Sequence, residues 1–251
     1  MSAIRLVLVA VAALAAGPVL AQEAAAPPPQ TWSFTGPLGR YDRAAARRGW
    51  QVYAESCAAC HSMNFLHYRD LAGIGLTEAE IATISANVTV PSGFDAQGNV
   101  VSKPGTPASG FRAPFPSEAA AREALNGALP PDLSLAVSAF ADGPNYIYAL
   151  LTGYRDPPAG TKLADGMSFN TAFAGHQIAM PPPLNEGQIS YADGTPSSVA
   201  QNAHDVVTFL AWAANPEMEQ RKRLGGAAVL YFLAMAGLTY ALKRRIWRRV
   251  H

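Results

Sequence analysis

Residues 224 to 242, LGGAAVLYFLAMAGLTYAL, run for nineteen positions without a charge, and this stretch decides how the rest of the chain can be arranged. At about 1.5 Å per residue a helix of that length spans roughly the 30 Å hydrocarbon core of a bilayer. A helix buried in a soluble core normally keeps a polar face; here Thr239 is almost the only polar position. Arg221, Lys222 and Arg223 precede the run, and Lys243, Arg244, Arg245, Arg248 and Arg249 follow it. Glu217 and Glu219 offset the first group and no acid offsets the second, so the positive-inside rule sends residues 243–251 to the cytoplasm. At the other end, residues 1–21 join an early Arg5 to an apolar run, Gly17-Pro18 and a Val-Leu-Ala ending. That pattern predicts a cleavable export signal. The expected division is a signal over 1–21, an exported body over 22–223, a transmembrane helix over 224–242 and a cytoplasmic tail over 243–251.

The body holds all 18 acidic residues against 13 of the 19 basic ones, a formal charge of −5, or −8 without the three cations beside the membrane. An acidic surface of this kind offers no footprint for nucleic acid and suits recruitment of a basic partner. The 20 prolines and 21 glycines, with 15% charged residues, point to a loop-rich body, and 49% hydrophobic composition is enough for a core. Residues 23–40 read as an extended arm. Helical spacing predicts helices over Asp42–Cys57, from Thr77 through the capping box TEAE, over Ser117–Leu125, Asn145–Thr152 and Ser197–Ala214. The Pro/Gly-rich stretch Pro91–Pro116 reads as an excursion over the surface or over a cofactor. There is no internal repeat and no glycine-rich phosphate loop.

Within the body lie the only two cysteines, in ESCAACHSM: Cys57 and Cys60, with His61 directly after. Two cysteines exclude a four-cysteine zinc or iron-sulfur site and a framework of several disulfides. Three chemistries fit CAACH. A thioredoxin-like redox pair wants a strand before it and a helix after it, whereas a helix precedes this motif. A disulfide would close a tight loop. In the third, both thiols add to haem vinyl groups and His61 ligates the iron, and an exported chain with no other cysteine favours that reading. A sixth ligand then suits electron transfer, and methionine raises the potential. Met63 is too near His61 to reach the opposite haem face, Met218 borders the membrane run, and Met167 lies in a polar loop. Met180, in HQIAMPPPL, is followed by three prolines that fix its backbone. His176 is the second choice, and His67 and His204 read as structural histidines.

RGWQVYAESCAACHSM, YRDLAGIGLTEAE, NGALPPDLSL, YIYALLTGY, IAMPPPL, DVVTFLAWAANPEMEQRKRLG and LKRRIW together resemble the cytochrome c1 family, the haem-bearing, singly anchored subunits of cytochrome bc1 complexes. The resemblance implies a mainly α, cytochrome-c-like haem domain with long loops and little sheet, plus one C-terminal transmembrane helix. It implies one covalent haem c on Cys57 and Cys60, His61 and Met180 as axial ligands, and Asn126, Pro130, Pro131 and Tyr146 lining the haem or its propionates. Read from the residues alone, Pro130-Pro131 would be a turn after a helix and Tyr146 a core aromatic. The implied function is relay of one electron from a Rieske iron-sulfur protein to a soluble or anchored cytochrome c. Cytochrome b is the further partner, in a dimeric complex of the bacterial inner membrane with the haem domain in the periplasm; the chain is an enzyme only as part of that complex. One departure stands out. The family often has a basic pair after PPDLS, including an arginine near a propionate, where this chain has Ser138 and Phe140; Arg112, Arg122 and Arg155 are the candidate substitutes.

Overall fold

The computed structural model describes residues 27–248, so the expected export signal lies outside the described residues. Its elements are mainly helical. Asp42 starts α1 (Arg43–Val52) by accepting the Ala44 and Ala45 amides on Oδ1 at 2.9 and 3.0 Å, which satisfies two of the donors a helix start leaves free. α1 buries Ala45, Ala46, Gly49 and Val52 against α6 (Val199–Ala214). Gly49 marks the closest approach: a Cβ there would lie 2.0 Å from the Asp205 carbonyl oxygen. The fully buried Asp205 carboxylate accepts two bonds from Arg48, at 2.7 and 3.1 Å, so the charge enclosed by this crossing is paired. Trp50, Tyr53, Phe111 and Phe209 stack around the same crossing, with ring centroids 5.0 to 6.2 Å apart.

Shorter elements wrap this pair. The expected capping box opens α2 (Glu78–Ala86): the Thr77 amide donates to Glu80 at 2.7 Å and the Glu80 amide to the Thr77 hydroxyl at 3.3 Å. α3 (Glu118–Ala124) is capped by Ser117, and α4 (Ala136–Ala139) and α5 (Gly143–Thr152) follow. Two features differ from expectation. The Pro91–Pro116 region includes an antiparallel ribbon of β1 (Thr89–Phe94) and β2 (Val100–Pro104) around a turn tied by Asp95, which accepts the Gln97 and Asn99 amides. Its prolines obscured the strand signal: Pro91 sits beside a register shift, where a missing N–H is tolerated. The arm before α1 is a packed strap, because Trp32 and Phe34 are buried and Trp32 Nε1 donates to Asn145 Oδ1 at 2.8 Å. A second ribbon pairs β3 (Ser168–Phe169) with β4 (Gln177–Ile178).

After α6 the chain turns within Asn215–Glu217 into α7 (Met218–Trp247), thirty residues that include the uncharged run. α7 has no buried residue, and it is the one helix among the described residues long and apolar enough to cross a membrane. The helix extends past the expected 224–242 at both ends because its flanks, though charged, are good helix formers.

Candidate functional site

α1 does not run straight into the cysteine pair. At Tyr53–Cys57 it widens into a π turn, closed by the Ala58 amide donating to the Tyr53 carbonyl at 2.9 Å, a distortion common at functional positions. The next turn is tied by the Cys60 and His61 amides, which both donate to the Cys57 carbonyl, at 3.1 and 2.9 Å. Cys57 and Cys60 are unpaired thiols, each partly exposed as a residue. Burial of the Cys57 sulfur, with Cys60 nearby, pushes its thiol up to about 12. Met63, two residues past His61, is wholly buried in the core.

His61 is fixed from a distance. Its Nδ1 lies 2.8 Å from the Pro131 carbonyl oxygen, 70 positions along the chain. A carbonyl can only accept, so Nδ1 carries the proton and Nε2 is left with its lone pair for a metal. Burial lowers the pKa of the ring, outweighing the Pro131 bond and the Asp132 charge, and so favours the neutral form a ligand must have. The Pro130-Pro131 turn is held by Asp132. Its Oδ2 accepts the Ser62 hydroxyl and the Asn64 amide, each at 2.8 Å, and its Oδ1 accepts the Ser134 amide at 2.8 Å. The Leu133 amide reaches the Ser62 carbonyl at 2.9 Å and the Phe65 amide the Ser134 hydroxyl at 3.1 Å. Residues 61–65 and 131–134 are thereby laced together. Burial raises the Asp132 pKa, but the bonds from Ser134, Asn64 and Ser62 outweigh it and hold the carboxyl below its usual range.

Met180 follows β4 and packs against the core while remaining partly exposed. Its carbonyl accepts the Tyr154 hydroxyl at 3.1 Å. Tyr154 leaves the end of α5 and bridges to Asn170, and Asn170 in turn is wholly buried, donating to the Leu150 carbonyl and accepting the Ala172 and Phe173 amides. The methionine is thus positioned by its backbone, through a tyrosine 26 positions earlier. His176 sits in the turn between β3 and β4 with φ +59°, its Nδ1 3.2 Å from the Asn170 carbonyl and its ring against Phe169. His67 pairs with Asp70, and His204 stacks on Trp32 at 4.9 Å.

Of the residues implied to line a haem, Pro131 meets His61 through its carbonyl. Asn126 occupies a left-handed turn position, φ +51°, after α3, and Tyr146 is half-buried and stacks on Phe140 at 4.7 Å. Pro130 is partly exposed. Leu129, Leu135 and Phe140 are large apolar side chains left exposed on the stretch bonded to His61. Phe140 brings no charge. Arg122 donates to the Gly127 carbonyl and Arg155 to the Thr152 and Tyr154 carbonyls. Arg112 lines a cavity of about 370 Å³ beside Ala58 and Ala59, which includes neither His61 nor Met180. Asp132 and Tyr154 had no assigned role in the sequence; both lie in motifs with family resemblance, but neither carries a local signal of what it holds.

Residues 32–250 match the profile of the Cytochrome C1 family. The chain belongs to that family. A relative in Solanum tuberosum, named cytochrome c1-2, heme protein, mitochondrial, is 48% identical over 219 residues, covering 87% of this chain and 84% of the relative. Cytochrome c1 of Rhodospirillum rubrum is 42% identical over 237 residues, 88% of this chain and 87% of the relative. A Bradyrhizobium diazoefficiens protein named cytochrome b/c1 is 40% identical over 247 residues, 90% of this chain and 36% of that longer protein. Cytochrome c1 membership accords with the mainly helical body, its little sheet and, among the described residues, one long apolar helix toward the C-terminal end.

Proposed function

We propose that this chain is the electron-transfer subunit of a quinol:cytochrome c reductase, or bc1, complex. It takes one electron from a Rieske iron-sulfur protein and passes it to a soluble or anchored cytochrome c. A single covalent haem c would be held by thioethers to Cys57 and Cys60 and by His61 and Met180 as iron ligands, with Asn126, Pro130, Pro131 and Tyr146 lining it or its propionates. When bound, such a group supplies a one-electron iron couple. The observation that carries the reading is the 2.8 Å contact from His61 Nδ1 to Pro131, which leaves Nε2 its lone pair on the residue that directly follows two unpaired thiols in the chain.

The residues of the chain do the rest. Asp132 keeps the His61 side of the site in register, and Tyr154 holds the Met180 backbone. α7 anchors the body in a bacterial inner membrane with residues 22–223 in the periplasm and 243–251 in the cytoplasm, after removal of residues 1–21. The body's formal charge of −5 attracts a basic cytochrome c, with rates that fall as salt rises. Cytochrome b is the membrane partner, in a dimeric complex, and the relative named cytochrome b/c1 supports that pairing.

The test is purification of the chain from membranes in mild detergent, followed by difference spectra after ascorbate and then dithionite. A c-type band with ascorbate, joined by b-type bands with dithionite, is expected. A c-type band alone would replace this reading with a free-standing anchored cytochrome. Absence of a covalent haem would overturn both.

A further inference from the structure

The loop between Phe34 and Tyr41 is built to hold one leucine in the open. Leu38 is 90% exposed, the most of any large apolar side chain among the described residues. Its surroundings are tightly closed. The Arg40 amide donates to the Ser33 carbonyl at 2.9 Å, and Gly36 takes φ +74°, a region open chiefly to glycine. At Gly39 a Cβ would lie 2.0 Å from the Thr35 carbonyl oxygen. A side chain on so fixed a turn loses little backbone entropy when it meets a partner.

Both ends of this loop are bound to the first turns of α7. Lys222 Nζ donates to the Phe34 and Gly39 carbonyls at 2.7 and 3.0 Å. At the far end Glu219 accepts the Tyr41 amide at 2.8 Å and the Arg43 guanidinium at 3.1 Å. Lys222 lies two positions before the uncharged run at Leu224, about 3 Å along the helix axis. The headgroup layer outside the hydrocarbon is about 5 to 7 Å deep, which covers the turn that grips the loop. Arg40, Arg221 and Arg223 are exposed in the same neighbourhood.

We propose that the Gly36–Arg40 loop is a second membrane contact, in which Leu38 enters the interfacial layer of the bilayer and Arg40, with Arg221 and Arg223, binds phospholipid phosphates. The proposal rests on the reading of α7 as a membrane span. It makes the anchor a helix with a foot, which limits how far the body can lean.

The test places p-benzoylphenylalanine at Leu38, at Leu233 in the middle of α7, or at Val100 on the β1–β2 ribbon, in separate full-length chains irradiated in native membranes. All three positions are exposed, so the replacement leaves the core untouched. Mass spectrometry should find a phospholipid adduct at 38 and at 233 and none at 100. A lipid adduct at 233 with a cross-link from 38 to another protein would overturn the proposal, because a neighbouring subunit would then cover the loop. An adduct at 233 with none at 38 would also overturn it while leaving the span intact. Finding neither a lipid adduct nor a cross-link to an integral membrane protein at 233 would remove the span and this proposal together.

Discussion

His61 and Met180 are held by opposite means. The histidine is bound through its own ring, by a carbonyl on a segment laced to it through Asp132, and its backbone is fixed within the CAACH turn. The methionine side chain has no polar contact of its own; its backbone carbonyl is gripped by Tyr154, which depends in turn on the buried Asn170. One position is locked through the ring that would do the chemistry, the other at one remove. A perturbation on the histidine side should therefore act on protonation and on whether the iron bond forms at all, and one on the methionine side should act by degrees on ligand strength.

The sharpest break is His61→Ala. With Cys57 and Cys60 intact, haem staining on denaturing gels should persist while the low-spin reduced band is lost from the absorption spectrum. Met180→Ala comes next: redox titration should show the midpoint potential falling by a sizeable part of the ~0.8 V that axial ligation commands. Asp132→Ala removes three hydrogen bonds to a partly buried carboxylate and should cost about 2 kcal/mol in denaturant unfolding. Because the Asp132 pKa is depressed in the fold, its contribution is present above the ordinary carboxylate value and lost as the pH falls through the depressed one. Tyr154→Phe should cost about 1 kcal/mol and shift the potential much less than Met180→Ala, separating positioning from ligation. The smallest effect is expected at His204. The carboxylate of Asp205 raises the His204 pKa against the pull of burial, with Thr31 and Asp42 assisting. Its stabilisation is complete below the ordinary histidine value and fades as the pH rises through the raised one, so His204→Gln should flatten that slope by under about 1 kcal/mol.

What could be read from the sequence follows the same division between local and distant causes. The α2 capping box, the helix after Ser117 and the apolar run within α7 are written in neighbouring residues, and each lies in the helix expected of it. CAACH is likewise self-contained. The β1–β2 ribbon was hidden because Pro91 argues against a strand unless a bulge excuses it. The strap over the core was hidden because proline-rich composition outweighed the two aromatics, Trp32 and Phe34, that bury themselves there. Asp132 and Tyr154 were hidden because each acts on a partner outside its own element, and nothing in periodicity reports which carbonyl a hydroxyl will find.

The crossing at Gly49 has a consequence in time. α1 buries its face against a helix that ends at Ala214, and contacts so far apart in sequence form late. At the roughly 5 to 20 residues per second of synthesis, the roughly 160 residues from Val52 to Ala214 take about 8 to 30 s to follow. Until the fold closes, the burial that pushes the Cys57 thiol up to about 12 is missing, and an unfolded thiol keeps its ordinary value of about 8.5. Chemistry that needs a thiolate is thus favoured on the unfolded chain and disfavoured on the folded one.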